Sequence, residues 1–426
     1  MENRRTILFS GSGTNGDLYP LIGIALEISK RGFPVVFLVN EFYRSLVNDH
    51  GFGFLSTGTK QRHIEFHGDA RTWDPASDVV EIGFDGFIRQ TIEASYRHVI
   101  EQHKKTRSLA VIGTYPLLNG ATMAADALTI PHTTVTLSPR YIPSHVAPPA
   151  PLKWVLPNWI PPTLKRSIFK TISYASARRL MRKAYFQRLN EMRKSFGLDP
   201  ISISQMVGTF SEPHLHIATF PDWYGMRAPD WPPDVHTVGF PLFSHGEHGA
   251  CKAVDDFIAS QGSPLVFTSG TGVKDSGPLF HEAKKICGSL ALPGLFVGSV
   301  DSRVECSEDR FLHVDYIDFR YVLPRCRVIV HHGGIGTLAE AVRAGVPQLI
   351  RPLAFDQFDN ADRAHRLGLG SFILPKHFEA KRVTPVIRAL LAYRQASNII
   401  DVFSTEVNDN QAIPKACDLI EEYLSH

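Results

Sequence analysis

The stretch Val328-Ile329-Val330-His331-His332-Gly333-Gly334-Ile335-Gly336-Thr337-Leu338-Ala339-Glu340 decides the reading of this chain, with Ala344-Gly345-Val346-Pro347 and Phe355-Asp356-Gln357-Phe358-Asp359-Asn360 beyond it. A β-branched run delivers the chain into a turn of three glycines that opens a helix, so backbone N–H groups and the positive helix end converge on one spot. Such a spot binds phosphate. The small residues Gly334 and Gly336 and the hydroxyl of Thr337 let a diphosphate approach the backbone, and His332 can donate to a phosphate oxygen. Glu340, one turn further along, can accept from two neighbouring ribose hydroxyls. Asp356 and Gln357 supply acceptors and a donor suited to the hydroxyls of a sugar. One ligand made of base, ribose, diphosphate and sugar would use all of these groups.

Outward from this block, short apolar runs alternate with helical patterns, the signature of parallel sheets covered by helices. Strands are expected at 6–10, 34–39, 52–57, 109–114, 132–138 and 214–220, and again at 264–269, 294–299, 311–315, 327–331, 347–351 and 371–374. The two sets predict an α/β protein of two doubly wound, Rossmann-like domains facing across a cleft. Their expected extents are 1–242 and 252–400, joined through the turn-rich residues 241–252. Residues 401–426 are expected to form a terminal helix packing back on the first domain.

The first strand ends in Gly11-Ser12-Gly13-Thr14-Asn15-Gly16-Asp17-Leu18-Tyr19-Pro20, followed by a helical run from Leu21 to Arg31. Gly11, Gly13 and Gly16 match the dinucleotide fingerprint, with Glu41 as its ribose-binding acid, so a dinucleotide-dependent oxidoreductase is one alternative. Asp17 reads in two ways. It can cap the helix that follows, or it can present a carboxylate to the cleft and take a proton from a bound hydroxyl.

The whole-chain composition narrows the classes. With 426 residues and 43% apolar content there is material for a large core, and 45 Lys and Arg against 42 Asp and Glu give no case for a nucleic-acid partner. The five cysteines, Cys251, Cys287, Cys306, Cys326 and Cys417, are widely spread and imply neither a metal site nor a disulfide framework. Without a secretory run or an apolar span, a cytoplasmic protein is expected. Prolines crowd 139–162, predicting a loop, and a helical pattern runs from Leu164 to Phe196. Between Ala150 and Ser195 stand eleven Lys or Arg and one acid, Glu191. That charge suits a solvated basic helix or, alternatively, a peripheral contact of the segment 164–196 with the inner membrane surface. Aromatic residues in 60–95 and 139–200, among them Trp73, Phe84, Phe87, Tyr141, Trp154, Trp159, Phe169 and Tyr174, are candidates for packing or for an apolar acceptor pocket.

On these residues the sequence resembles the family 1 nucleotide-sugar glycosyltransferases of GT-B architecture, over nearly its whole length. The family's donor signature is matched by His332, Gly334, Thr337, Glu340, Gly345 to Pro347, Asp356, Gln357 and Asn360. Gly16, Asp17 and Pro20 look like the turn of the bacterial and sterol branches, which carry an aspartate where plant members carry a catalytic histidine. Trp73-Asp74-Pro75, Asp230-Trp231-Pro232 and Val238 to Phe243 point, within the bacterial branch, to the rhamnosyltransferases that act on hydroxy-fatty-acid lipids, with glycopeptide and sterol glycosyltransferases nearby. The resemblance implies a UDP- or dTDP-sugar as donor substrate, no other cofactor, no metal and a small hydrophobic acceptor. It implies Asp17 as general base, Thr271 as a diphosphate contact, and Tyr316, with Ile317 beside it, at the nucleobase. It aligns either His331 or His332 with the family's phosphate-binding histidine, His332 being favoured. A protein that keeps the donor pocket but has lost catalysis, and a nucleotide-sugar epimerase of the same two-domain fold acting without an acceptor, are the remaining alternatives.

Overall fold

The apolar runs become parallel strands under layers of helices, the inner ones buried on both faces and the edge strands only in part. The computed structural model describes residues 4–74, 77–114, 118–150, 156–157, 159–202, 214–243, 252–273, 275–300, 309–409 and 411–425. In the first lobe the strands are β1 (Thr6–Ser10), β2 (Val35–Val39), β3 (Gly53–Ser56), β4 (Leu109–Thr114), β5 (His132–Thr136), β6 (Leu215–Ala218) and β7 (Val235–Thr237). They lie in the order β3-β2-β1-β4-β5-β6-β7 with every pairing parallel. The second lobe has β8 (Leu265–Thr268), β9 (Gly294–Val297), β10 (Phe311–Val314), β11 (Val328–His331), β12 (Gln348–Ile350) and β13 (Gly370–Phe372). Their order is β10-β9-β8-β11-β12-β13, again all parallel. Strand β7 falls outside the expected set; its three residues, Val-His-Thr, are too few to show a period.

Both sheets reverse their winding at one place, between β1 and β4 in the first lobe and between β8 and β11 in the second. Ligands of open α/β sheets bind outside the carboxyl ends of strands at such a switch. The turn leaving β1 leads into α1 (Asn15–Lys30), which starts at Asn15 rather than at the expected Leu21 and holds Pro20 inside it. The wall beside it includes the short helix α2 (Val79–Gly83). The expected helical pattern from Leu164 to Phe196 resolves into two helices, α3 (Pro162–Met181) and α4 (Ala184–Ser195), the latter buried through Tyr185, Phe186, Leu189 and Met192. In the second lobe the turn leaving β11 opens α5 (Ile335–Arg343), and the turn after β12 opens α6 (Gln357–Arg366). No helix among the described residues is long and apolar enough to cross a membrane.

The last helix, α7 (Ala412–Ser425), packs on the first lobe. Its Ala416, Cys417 and Ile420 join the core formed by α1 and the first sheet. The Arg31 guanidinium ties it down, with one nitrogen 2.6 Å from Asp418 and 2.8 Å from Glu421.

A further apolar cluster crosses the lobe boundary: Phe220, Tyr224, Trp231 and Phe240 pack with Leu338, Val342, Ala361 and Val407. A buried polar network reinforces it. Arg363 Nε donates to Asp359 2.6 Å away, both side chains being almost wholly buried. Arg363 also donates to the carbonyls of Tyr224 and Gly225, and Asp359 accepts from the backbone N–H of Ala150. Removing one member of such a pair leaves a buried charge unpaired. Arg363→Ala should cost about 3–5 kcal/mol of stability on that account; a denaturant titration by circular dichroism checks it.

Candidate active site

A cleft of about 600 Å³ separates the two switch points. The first lobe lines it with the turn Ser12 to Asp17 and with Phe66, Trp73, Phe87 and Tyr141. From the second lobe come Ser269 to Gly272, Tyr316, Ile317, His332, Gly334, Ile335, Gly336, Thr337, Glu340, Phe355, Asp356 and Gln357. Of the site residues expected from the sequence, Asp17, Thr271, Tyr316, Ile317, His332, Gly334, Gly336, Thr337, Glu340, Asp356 and Gln357 reach one cavity, and Asn360 does not. Tyr316 stands 54% exposed at its rim, whereas Ile317 is buried beneath.

The two helix ends facing this cavity are finished differently. On α1 the Asp17 carboxylate turns back to its own helix: Oδ2 accepts from the Thr14 backbone N–H at 2.7 Å and from the Thr14 hydroxyl at 3.2 Å. Asp17 thus caps the helix and lines the cleft, so the two readings of this residue coexist. That carboxylate also sits at the helix end where a dinucleotide's pyrophosphate would sit. Glu41, the ribose acid of that alternative, is instead paired with Arg44 and lies outside the cleft. On α5, by contrast, Gly334 takes the N-cap position and no side chain caps the helix. The N–H groups of this end open on the cavity, with the positive end of the helix behind them.

The adjacent histidines separate cleanly. His331 is 1% exposed. Its Nδ1 accepts from the Gly333 N–H at 3.1 Å, and its Nε2 lies 2.9 Å from the Gln348 Oε1 to which it donates. His331 is therefore committed to shaping the turn. His332 lines the cavity, wedged against the turn after β8, where a side chain on Gly270 would strike its imidazole at 2.4 Å. Its Nδ1 has no partner among the described residues, and burial pushes its pKa down to about 4, so the ring is neutral at pH 7 and has one N–H to give.

The carboxylates are held by specific neighbours. Glu340 accepts from Arg343 Nε at 2.7 Å, and burial raises its pKa although Arg343 opposes the shift. Asp356 accepts from the Asn360 amide at 2.8 Å. Burial raises its carboxyl to about 6; the Asn360 bond opposes this and the charge of Asp17 adds to it, so the two lobes bring two carboxylates within electrostatic reach. Gln357, expected to hold sugar hydroxyls, uses its Oε1 to accept the N–H groups of Leu353 and Ala354. Its oxygen shapes the turn, and its place in the cavity wall leaves only the amide nitrogen for a ligand. Asn360 is wholly buried away from the cavity: its amide donates to the Gly333 carbonyl, and its Oδ1 accepts from Tyr224 and Ser138 of the first lobe.

The sequence pattern assigns no role to Phe355, a non-glycine residue with φ of +56°. That conformation turns its ring across the cleft to meet Trp73 edge-on, with centroids 5.6 Å apart. Gly272 touches the same indole, and a Cβ there would fall 2.3 Å from it. No sequence period marks these contacts, which exist only between lobes. Of the other aromatic candidates, Phe87 and Tyr141 line the cleft, Phe84 and Phe169 are core, Trp159 is 81% exposed, and Trp154 lies outside the described residues.

Known proteins share this arrangement. Residues 304–421 match the family model for the erythromycin biosynthesis protein CIII-like C-terminal domain. The chain is 23% identical to the O-mycaminosyltylonolide 6-deoxyallosyltransferase of Streptomyces fradiae, over 96% of each chain. It is 24% identical to a sterol 3-beta-glucosyltransferase of Arabidopsis thaliana, over 97% of this chain and 67% of that one. The calicheamicin glycosyltransferase CalG4 superposes with a TM-score of 0.72 at 18% identity, covering 100% of this chain and 99% of that one. The protein is a glycosyltransferase with the GT-B fold. The oxidoreductase alternative falls with that assignment, and also because Asp17 is engaged with Thr14 and Glu41 with Arg44.

Two results are expected. His332→Ala should weaken dTDP or UDP binding roughly 10- to 100-fold, the weight of a hydrogen bond to a charged group, with little change in Tm. His331→Ala should instead lower stability by about 2–4 kcal/mol, through two lost buried bonds and the cavity left behind; calorimetric titration and thermal melts separate the two. For Asp356, the folded pKa of about 6 exceeds the ordinary 3.8, so its neutral form stabilises the fold. That contribution is complete below the ordinary value and is lost as pH rises through the raised one. Asp356→Asn should therefore melt a few degrees above the parent at pH 8 and level with it at pH 4.

Proposed function

We propose that the enzyme moves a hexose from a UDP- or dTDP-sugar to a hydroxyl of a small hydrophobic acceptor such as a lipid, terpenoid, polyketide or phenolic, with inversion at the anomeric carbon and without a metal. The observation that carries this reading is the contrast between the helix ends: a carboxylate on the first-lobe side of the cleft, and on the second an uncapped helix N-terminus beside a neutral imidazole. Named substrates of the relatives support the acceptor class, since one acts on O-mycaminosyltylonolide and another on a sterol. The solved glycosyltransferase VinC, 17% identical with a TM-score of 0.63, was captured with dTDP, which supports a thymidine diphosphate donor.

In this reading the diphosphate lies against the N–H groups of α5, with the hydroxyls of Thr337 and Thr271 and the His332 N–H taking up charge as the leaving group departs. Glu340 holds the ribose, Tyr316 and Ile317 meet the base, and Asp356 with the Gln357 amide nitrogen holds the sugar. Asp17 accepts the proton of the acceptor hydroxyl as that oxygen attacks the anomeric carbon from the opposite face. Its capping bonds to Thr14 fix the carboxylate at the cleft edge. The aromatic wall of Phe66, Trp73, Phe87 and Tyr141 suits an apolar acceptor.

Mass-spectrometric screening of UDP-glucose and dTDP-rhamnose against lipid and aromatic alcohols tests the substrate class, and the anomeric coupling constant of the product tests inversion. Asp17→Asn should lose about two to four decades of turnover while dTDP binding is largely kept, the ordinary weight of general-base catalysis. Near-parental turnover would remove Asp17 from the chemistry.

A further inference from the structure

Helix α3 is unlike every other long helix in the lobe that carries it. Of its 20 residues only Phe169 and Ala177 are buried among those whose side chains are described. It bears Lys165, Arg166, Lys170, Arg178 and Arg179 and no acid. Among the described residues none of these five is paired with a carboxylate, whereas α4 is pinned by ion pairs from Lys183 to Asp78 and from Arg188 to Glu81 and Asp85. Leu164, Ile168 and Ile172, four residues apart, form an apolar strip on a different side from Phe169 and Ala177. Leu164 is 52% exposed, and just ahead of the helix Trp159 is 81% exposed. An unpaired basic helix with an apolar strip and a neighbouring exposed indole has the chemistry of a segment lying in the headgroup region of an anionic bilayer. A polynucleotide would complement the charge and leave Trp159, Leu164, Ile168 and Ile172 in water.

We infer that α3 and Trp159 form a docking surface for anionic lipid membranes. The surface connects to the cleft. Of the acids that hold α4, Asp78 caps α2 and Glu81 lies within it, while Val79 and Val80 of α2 line the cavity, and α3 meets the same lobe where Tyr174 stacks near His145. Docking through α3 thus sets the acceptor wall of the cleft close to the bilayer, where an amphiphilic alcohol would be taken up. The inference concerns adsorption alone and stands independently of the catalytic roles proposed above.

The test is co-sedimentation of the full chain with vesicles of phosphatidylcholine alone or with a third of phosphatidylglycerol. Binding is expected for the anionic vesicles only, and raising the salt to 0.5 M should weaken it strongly, because these charges are screened within a Debye length. The triple variant Lys165→Gln, Arg166→Gln, Lys170→Gln should lose on the order of a hundredfold in vesicle affinity, each basic residue at such a surface contributing several-fold. Trp159→Ser should weaken adsorption as well, with Tm and dTDP affinity unchanged in both variants. Failure to bind anionic vesicles, equal binding to neutral ones, or parental adsorption by the triple variant would overturn the inference. So would tighter binding to a single-stranded oligonucleotide in the same buffer.

Discussion

The geometry of the cleft depends on one buried amide. Asn360 joins three things at once: the turn carrying His332, through the Gly333 carbonyl; the Asp356 carboxylate; and the first lobe, through Tyr224 and Ser138. A buried amide must find partners for its donors and acceptor, so each of these bonds fixes the others in register. With Asp359 and Arg363 on the same helix, the second lobe is locked to the first beside the cleft rather than at a remote hinge. The turn carrying His332, the Asp356 carboxylate and the first lobe share one support.

That support explains why α5 can be left without a capping side chain. An unsatisfied helix end is a cost in an empty protein and an asset when an anion arrives. The first lobe makes the opposite choice by closing α1 with Asp17 and Thr14. Two glycine-rich turns, each leading from a strand into a helix, therefore have different electrostatics, one carrying negative charge and the other receptive to it.

Much of this was legible in the sequence. The twelve expected strands are all present within a residue or two at most ends, because parallel strands buried on both faces read as continuous apolar runs. The cleft residues gathered as expected because each follows directly on a strand end. What escaped were features with no local pattern. Gln357 and Asn360 stand three residues apart in one signature, yet their oxygen atoms shape the scaffold: that of Gln357 closes the local turn, and that of Asn360 meets partners far away in sequence. Strand β7 is too short to show alternation, and Asp17 could not be resolved between cap and cleft because it occupies both positions. Phe355 against Trp73 belongs to the same class: neither residue predicts the other.

The placement of α7 bears on how such enzymes can be recombined. Although it follows the second lobe in sequence, it fills the core beneath α1 and is pinned there by Arg31. Exchange of lobes between relatives by a single crossover near residue 243 would graft a foreign helix onto the first lobe and mismatch its core. A chimera that respects the packing needs two junctions, so that the tail travels with the amino-terminal portion while only the intervening half is replaced.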